Sequence, residues 1–152
     1  MGNVLSRRVL WLMFVIGSIG ILGCISPPAF SPGPTDSDAP KEFSETSSGL
    51  KYRVLRKADG PKPVPSSNVT VQYVGTLDDG TEFDSSYRGG RPITFQLNQV
   101  VPGWTEGLQL ISKGGMIELK IPPELGYGKS GKPGAIPPDA TLNFVVELID
   151  FK

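Results

Sequence analysis

The 152-residue sequence has no histidine and only one cysteine, Cys24. Together these absences exclude an intramolecular disulfide, a histidine-based metal site, a catalytic thiol in the body of the chain and any histidine-assisted triad. An excess of one charge is also lacking, since 15 basic residues stand against 15 acidic ones. Such a balance gives no electrostatic case for nucleic acid. The longest apolar run, Val9 to Leu22, follows Arg7 and Arg8 and is too short and too Gly-rich to read as a bilayer span.

Residues 1–24, MGNVLSRRVLWLMFVIGSIGILGC, have the layout of an export signal. The end of this stretch, Ile21-Leu22-Gly23-Cys24, resembles the bacterial lipoprotein signal, in which a small residue precedes a cysteine that is lipidated and becomes the new N-terminus. That resemblance implies a signal peptide over 1–23, a lipid on Cys24, membrane contact through that anchor and a place in the cell envelope. Ile25 after the cysteine, where an Asp would signal retention, implies the outer membrane, facing the periplasm, in an organism that has one. Two other readings stay open: an ordinary hydrophobic signal with a coincidental cysteine, and myristoylation of Gly2 in Met1-Gly2-Asn3-Val4-Leu5-Ser6. Cleavage before Cys24 would leave 129 residues with 13 basic and 15 acidic side chains, enough for one compact domain.

Ile25 to Glu42, ISPPAFSPGPTDSDAPKE, is rich in Pro, Ser and Asp and nearly free of large apolar residues. Proline favours extended backbone and the polar residues gain little by burial, so 24–42 reads as a lipidated cysteine followed by a semi-extended tether. The alternative is an extension folded back on the domain through Phe30 or Phe43. The domain itself is expected over 43–152.

Strands are expected where apolar residues alternate. In Gly49 to Arg56, Leu50, Tyr52 and Val54, with Arg56 next in the series, fall at period two, and Val69, Val71, Tyr73 and Gly75 do so in Val69 to Leu77. Asp78-Asp79-Gly80 supplies a tight turn. Phe83 opens another extended segment, followed by the Gly-rich loop Tyr87 to Arg91 and a strand from Ile93 to Leu97. Trp104, Leu108 and Ile111 at i, i+4 and i+7 predict a helix over Gly103 to Ile111, closed by Lys113-Gly114-Gly115. Met116 to Ile121 and Leu142 to Phe151 alternate again, separated by a Gly- and Pro-studded loop from Pro122 to Ala140. The expected fold is α+β, a strongly curved antiparallel sheet wrapped around one short helix as a half-barrel.

Tyr73, Phe83, Phe95, Val100, Val101, Trp104, Tyr127, Ile136 and Phe144, if they converge, make an apolar pocket with few polar handles, beside the carboxylate of Asp84. Such a pocket suits a reaction that needs desolvation and shape more than acid–base chemistry. Core packing is the competing reading for each side chain taken singly, and Phe95 and Leu97 are left with the core.

Phe83-Asp84-Ser85-Ser86, Val100-Val101-Pro102-Gly103-Trp104, Gly126-Tyr127-Gly128 and Gly134 to Leu142 follow in the order and near the spacing of the FK506-binding type of peptidyl-prolyl cis-trans isomerase. The resemblance covers roughly Gly49 to Phe151. It implies that family's half-barrel, rotation of Xaa-Pro bonds in unfolded or partly folded exported polypeptides, and affinity for FK506 or rapamycin. It also implies roles: Trp104 as the floor beneath the proline ring, Tyr73, Phe83, Val100, Val101 and Phe144 as walls, Asp84 facing the substrate amide, the Tyr127 hydroxyl holding a ligand carbonyl, the Val101 N–H holding a second carbonyl, and Ile136 closing over the proline. No cofactor and no metal is expected. The sequence departs from the family at Gly89, where an arginine that pairs with the Asp would stand, with Arg88 and Arg91 as substitutes. Two further departures are Ala135, smaller than usual, and Lys132, where some members have histidine. A proline-recognising binding module or chaperone without turnover is the alternative function.

Overall fold

The computed structural model describes residues 31–152; the signal segment, Cys24 and Phe30 lie outside the described residues. Among the described residues alternation yields seven strands, β1 (Ser44–Glu45), β2 (Lys51–Arg56), β3 (Asn68–Thr76), β4 (Glu82–Ser85), β5 (Ile93–Gln96), β6 (Met116–Ile121) and β7 (Leu142–Phe151), with one α-helix, α1 (Pro102–Leu108), and four short 3-10 turns. All pairings are antiparallel, in the order β1-β2-β6-β7-β3-β4. β7 runs along one edge of β3, and the other edge is shared by β5, opposite Asn68–Val71, and β4, opposite Val74–Thr76. This division lets the sheet curl and leaves an opening beside β3 on its concave side. The half-barrel around a short helix, expected from the sequence, is the fold observed.

Period two decides what is buried. Val69 and Val71 of β3, Ile117, Leu119 and Ile121 of β6, and Leu142, Val146 and Leu148 of β7 face the concave side and are fully buried. α1 lies across this face. Pro102 stands in its first turn, where a missing N–H is tolerated. The Thr105 hydroxyl donates to the Leu97 carbonyl at 2.8 Å, tying the helix to the turn before it. Gly103 and Gly107, one turn apart, meet β6: a Cβ at either position would lie 2.6 Å from a methyl carbon of Ile121 or Leu119. Bare backbone on that side allows so short a helix to sit this close to the sheet.

The helix ends at Leu108, three residues before the expected Ile111, because the Gln109 and Leu110 N–H groups bond the carbonyls of Glu106 and Gly107 at 3.2 and 3.1 Å. This tightening winds the last turn into 3-10 geometry while Ile111 remains buried. Arg56 also departs from the pattern. A bulge between Val54 and Arg56 turns its side chain to the convex face, where it reaches Glu147 at 3.6 Å and donates to the Pro34 carbonyl at 3.0 Å.

The convex face carries a feature of its own. Within the segment read as a tether, Gly33 donates to Glu147 Oε1 at 2.5 Å, Asp36 N–H to the Leu55 carbonyl at 2.8 Å, and Arg53 to the Lys41 carbonyl at 2.9 Å. Phe43 lies 5.0 Å from the Arg53 guanidinium, a cation–π distance. Met116, fully buried, stands apart from the main apolar cluster, and burial beside Glu147 pushes the Tyr87 phenol up to about 12, with Arg56 opposing.

Candidate functional site

The curl of the sheet, α1 and the 122–140 loop enclose a cavity of about 410 Å³, within the size range of small-ligand sites. Trp104, in the first turn of α1 and only 5% exposed, forms its base. The ring of Tyr73 meets the indole edge-on with centroids 5.1 Å apart, and Phe144 does so at 5.0 Å. Phe83 meets Phe144 edge-on at 5.4 Å. Each contact sets the positive edge of one ring against the negative face of another, which fixes the rings as well as burying them. Gly75 makes room, since a Cβ there would lie 2.6 Å from Phe144 and 2.8 Å from Phe83.

Val100 and Val101 line the cavity at the entrance to α1. The Val101 carbonyl accepts from Trp104 N–H at 2.9 Å and Thr105 N–H at 3.2 Å, so the Val101 backbone is held by the helix start. From the long loop come Ile136, 4% exposed, and Tyr127, 39% exposed. Although irregular, the loop is internally bonded. Lys132 and Ile136 exchange both backbone hydrogen bonds at 2.8 Å, and Asp139 N–H donates to the Gly128 carbonyl at 3.0 Å. All nine side chains singled out for the site, including Asp84, therefore line one cavity.

Polar groups are few. Asp84 lies opposite Gly75 and is exposed at the lip. Its Oδ2 accepts from the Tyr73 hydroxyl at 2.6 Å and its Oδ1 from the Ser85 N–H at 2.9 Å. Burial first, then the bond to Asp84 and the carboxylate charge, hold the Tyr73 phenol well above its usual range, so Tyr73 stays a neutral donor. Ser86 anchors the end of β4: its hydroxyl donates to Gln72 Oε1 at 2.5 Å and accepts from the Tyr73 N–H at 2.8 Å. Neither arginine considered as a substitute at Gly89 bonds Asp84: Arg88 pairs instead with Glu82 at 2.9 Å, and Arg91 is exposed with no carboxylate within 4.0 Å among the described residues.

Phe95, assigned to the core from sequence, lines the cavity with its ring 5.6 Å from that of Trp104, and Ile93, Gln99, Lys132 and Ala135 line it too. Ile93 and Phe95 stand at i and i+2 on β5, so the alternation that marked them as strand residues also placed both on one face. Leu97 is fully buried in the core, as expected.

A family model described as FKBP-type peptidyl-prolyl cis-trans isomerase matches residues 60–149, more than half of the chain. The chain belongs to that family. Over 112 residues it is 55% identical to the FKBP-type peptidyl-prolyl cis-trans isomerase FkpA of Escherichia coli strain K12, covering 74% of this chain and 41% of the relative. The crystal structure of FkpA from Escherichia coli superposes with a TM-score of 0.72 at 54% identity, covering 74% of this chain and 53% of that one. Another relative, named outer membrane protein MIP in Legionella longbeachae, is 49% identical over 105 residues, which are 69% of this chain and 45% of the relative. The chain spans less than half the length of these curated relatives. What matches is the FKBP domain, which contains every residue of the cavity.

Proposed function

We propose that the FKBP domain of this chain accelerates rotation about Xaa-Pro peptide bonds, with the Trp104 cavity as the site. The supporting observation is an aromatic pocket of about 410 Å³ with few polar groups, on a domain whose family carries this activity in its name. Rotation about a peptide bond is slow because resonance stiffens it, with a barrier of about 18–20 kcal/mol, and both isomers of Xaa-Pro are populated. The planar amide is charge-separated and favoured by water. Moving it into the apolar cavity removes that advantage, and the Tyr127 hydroxyl and Val101 N–H then hold the flanking carbonyls of a twisted bond. The proline ring rests on Trp104, Ile136 closes over it, and Asp84, held by Tyr73, faces the amide. About ten-thousand-fold acceleration asks for roughly 5.5 kcal/mol of differential stabilisation. Neither a nucleophile nor a metal enters these steps.

The substrates we propose are unfolded or partly folded exported polypeptides, and FK506 or rapamycin are expected to compete for the cavity. The arrangement Gly23-Cys24 supports a lipid anchor at Cys24 that keeps the domain at a membrane outside the cytoplasm, and the outer-membrane name of the Legionella relative agrees with this. A second reading, a proline-binding module without turnover, draws on Asp84 having no arginine partner among the described residues.

The test is isomerisation of short Xaa-Pro peptides by the full chain in detergent. Trp104→Leu and Asp84→Ala, each confirmed folded, are expected to lower kcat/KM by about tenfold or more, which corresponds to roughly 1.4 kcal/mol of lost transition-state stabilisation. Wild-type chain that binds the peptides without accelerating them would favour the second reading.

A further inference from the structure

Among the residues lining the cavity, Asp84 and Lys132 are the two with formal charge at neutral pH. The Asp84 carboxylate is engaged at both oxygens, by the Tyr73 hydroxyl at 2.6 Å and the Ser85 N–H at 2.9 Å. Lys132 differs. Its backbone is fixed, because its N–H donates to the Ile136 carbonyl at 2.8 Å while its own carbonyl accepts from Ile136 at 2.8 Å and Ala135 at 3.0 Å. Its side chain is exposed and has no carboxylate within 4.0 Å among the described residues. Arg88, four residues after Asp84 in the chain, is by contrast already paired with Glu82 at 2.9 Å. A positive charge on a flexible stem is therefore held at the cavity rim by a rigid base, next to the residue that closes the site.

We propose that Lys132 gives this cavity a charge preference, favouring polypeptide segments with a carboxylate side chain immediately before or immediately after the proline. The proposal rests on the isomerase reading above and specifies its substrate class. Adjacent residues stand about 3.8 Å from the proline, Cα to Cα across a trans peptide, so their side chains meet the rim rather than the floor. Beside Asp84 such a carboxylate would meet a like charge, which leaves the neighbourhood of Lys132 as the favourable one. Exposed pairs are weak, and the preference is accordingly about two- to fivefold. It also falls with salt, because screening shortens the reach of a charge from about 10 Å at 0.1 M to about 3 Å at 1 M.

The experiment measures kcat/KM of the full chain in detergent for two peptide pairs, Glu against Gln immediately before the proline and Glu against Gln immediately after it. Wild type, Lys132→Gln and Lys132→Glu are compared at low salt and at 1 M. The expected result is a Glu/Gln ratio of about two to five in at least one pair for wild type, near one for Lys132→Gln and below one for Lys132→Glu, with all three converging at high salt. Acceleration with the same ratio in all three proteins would overturn the proposal and leave the isomerase reading standing. No acceleration of any of the four peptides would overturn both.

Discussion

Tyr73 shows how a single residue links sheet and site. Its backbone is paired in β3 opposite Val146, its ring packs on Trp104, and its hydroxyl holds Asp84. Replacing Tyr73 with Phe keeps the ring and removes the donor, so we expect a loss of about 1 kcal/mol in stability, read by urea unfolding. The phenol's folded-state value lies above its unfolded value of about 10, so the folded state holds this proton more tightly. The associated stability is complete below about pH 10 and is lost as pH rises beyond it. Wild type should therefore lose stability relative to Tyr73→Phe above about pH 10, and part of the phenolate absorbance at the alkaline end should be missing in the variant.

α1 lies close to β6 only because Gly103 and Gly107 present bare backbone to Ile121 and Leu119. Alanine ordinarily favours a helix interior over glycine by about 1 kcal/mol. At Gly107 the sign should invert, since the added methyl meets Leu119, and Gly107→Ala is expected to destabilise by about 1–3 kcal/mol. Thermal or urea unfolding that shows the variant as stable as wild type would mean that the helix sits farther from the sheet. The elements were legible to different degrees. β6 and β7 have the bounds that alternation gave, because both edges of each are paired, β6 by β2 and β7 and β7 by β6 and β3. The end of α1 was not, because the 3-10 turn at Gln109 depends on local hydrogen bonds that leave no mark on apolar spacing. Nor was the bulge that reverses Arg56, whose consequence appears only once Pro34 and Glu147 are beside it.

Across the molecule the two faces of the sheet have separate tasks. The concave face holds the core and the cavity, and the convex face receives residues 33–41. Motif order was enough to gather the cavity residues from sequence, yet Phe95 read as core because strand alternation does not tell a buried wall from a buried interior. The convex contacts were illegible, since Gly33 and Glu147 are 114 positions apart and neither carries a motif. Glu147→Ala, which leaves the Gly33 N–H and Arg56 without this acceptor, should lower stability by about 1–3 kcal/mol while peptide turnover on the other face persists. The most direct test of the site as a whole is exchange NMR on an Xaa-Pro peptide with a substoichiometric amount of the full chain in detergent. Cis–trans exchange peaks are expected with wild type and not with folded Trp104→Leu; peptide that binds at Trp104 with no exchange peaks would contradict catalysis in this cavity.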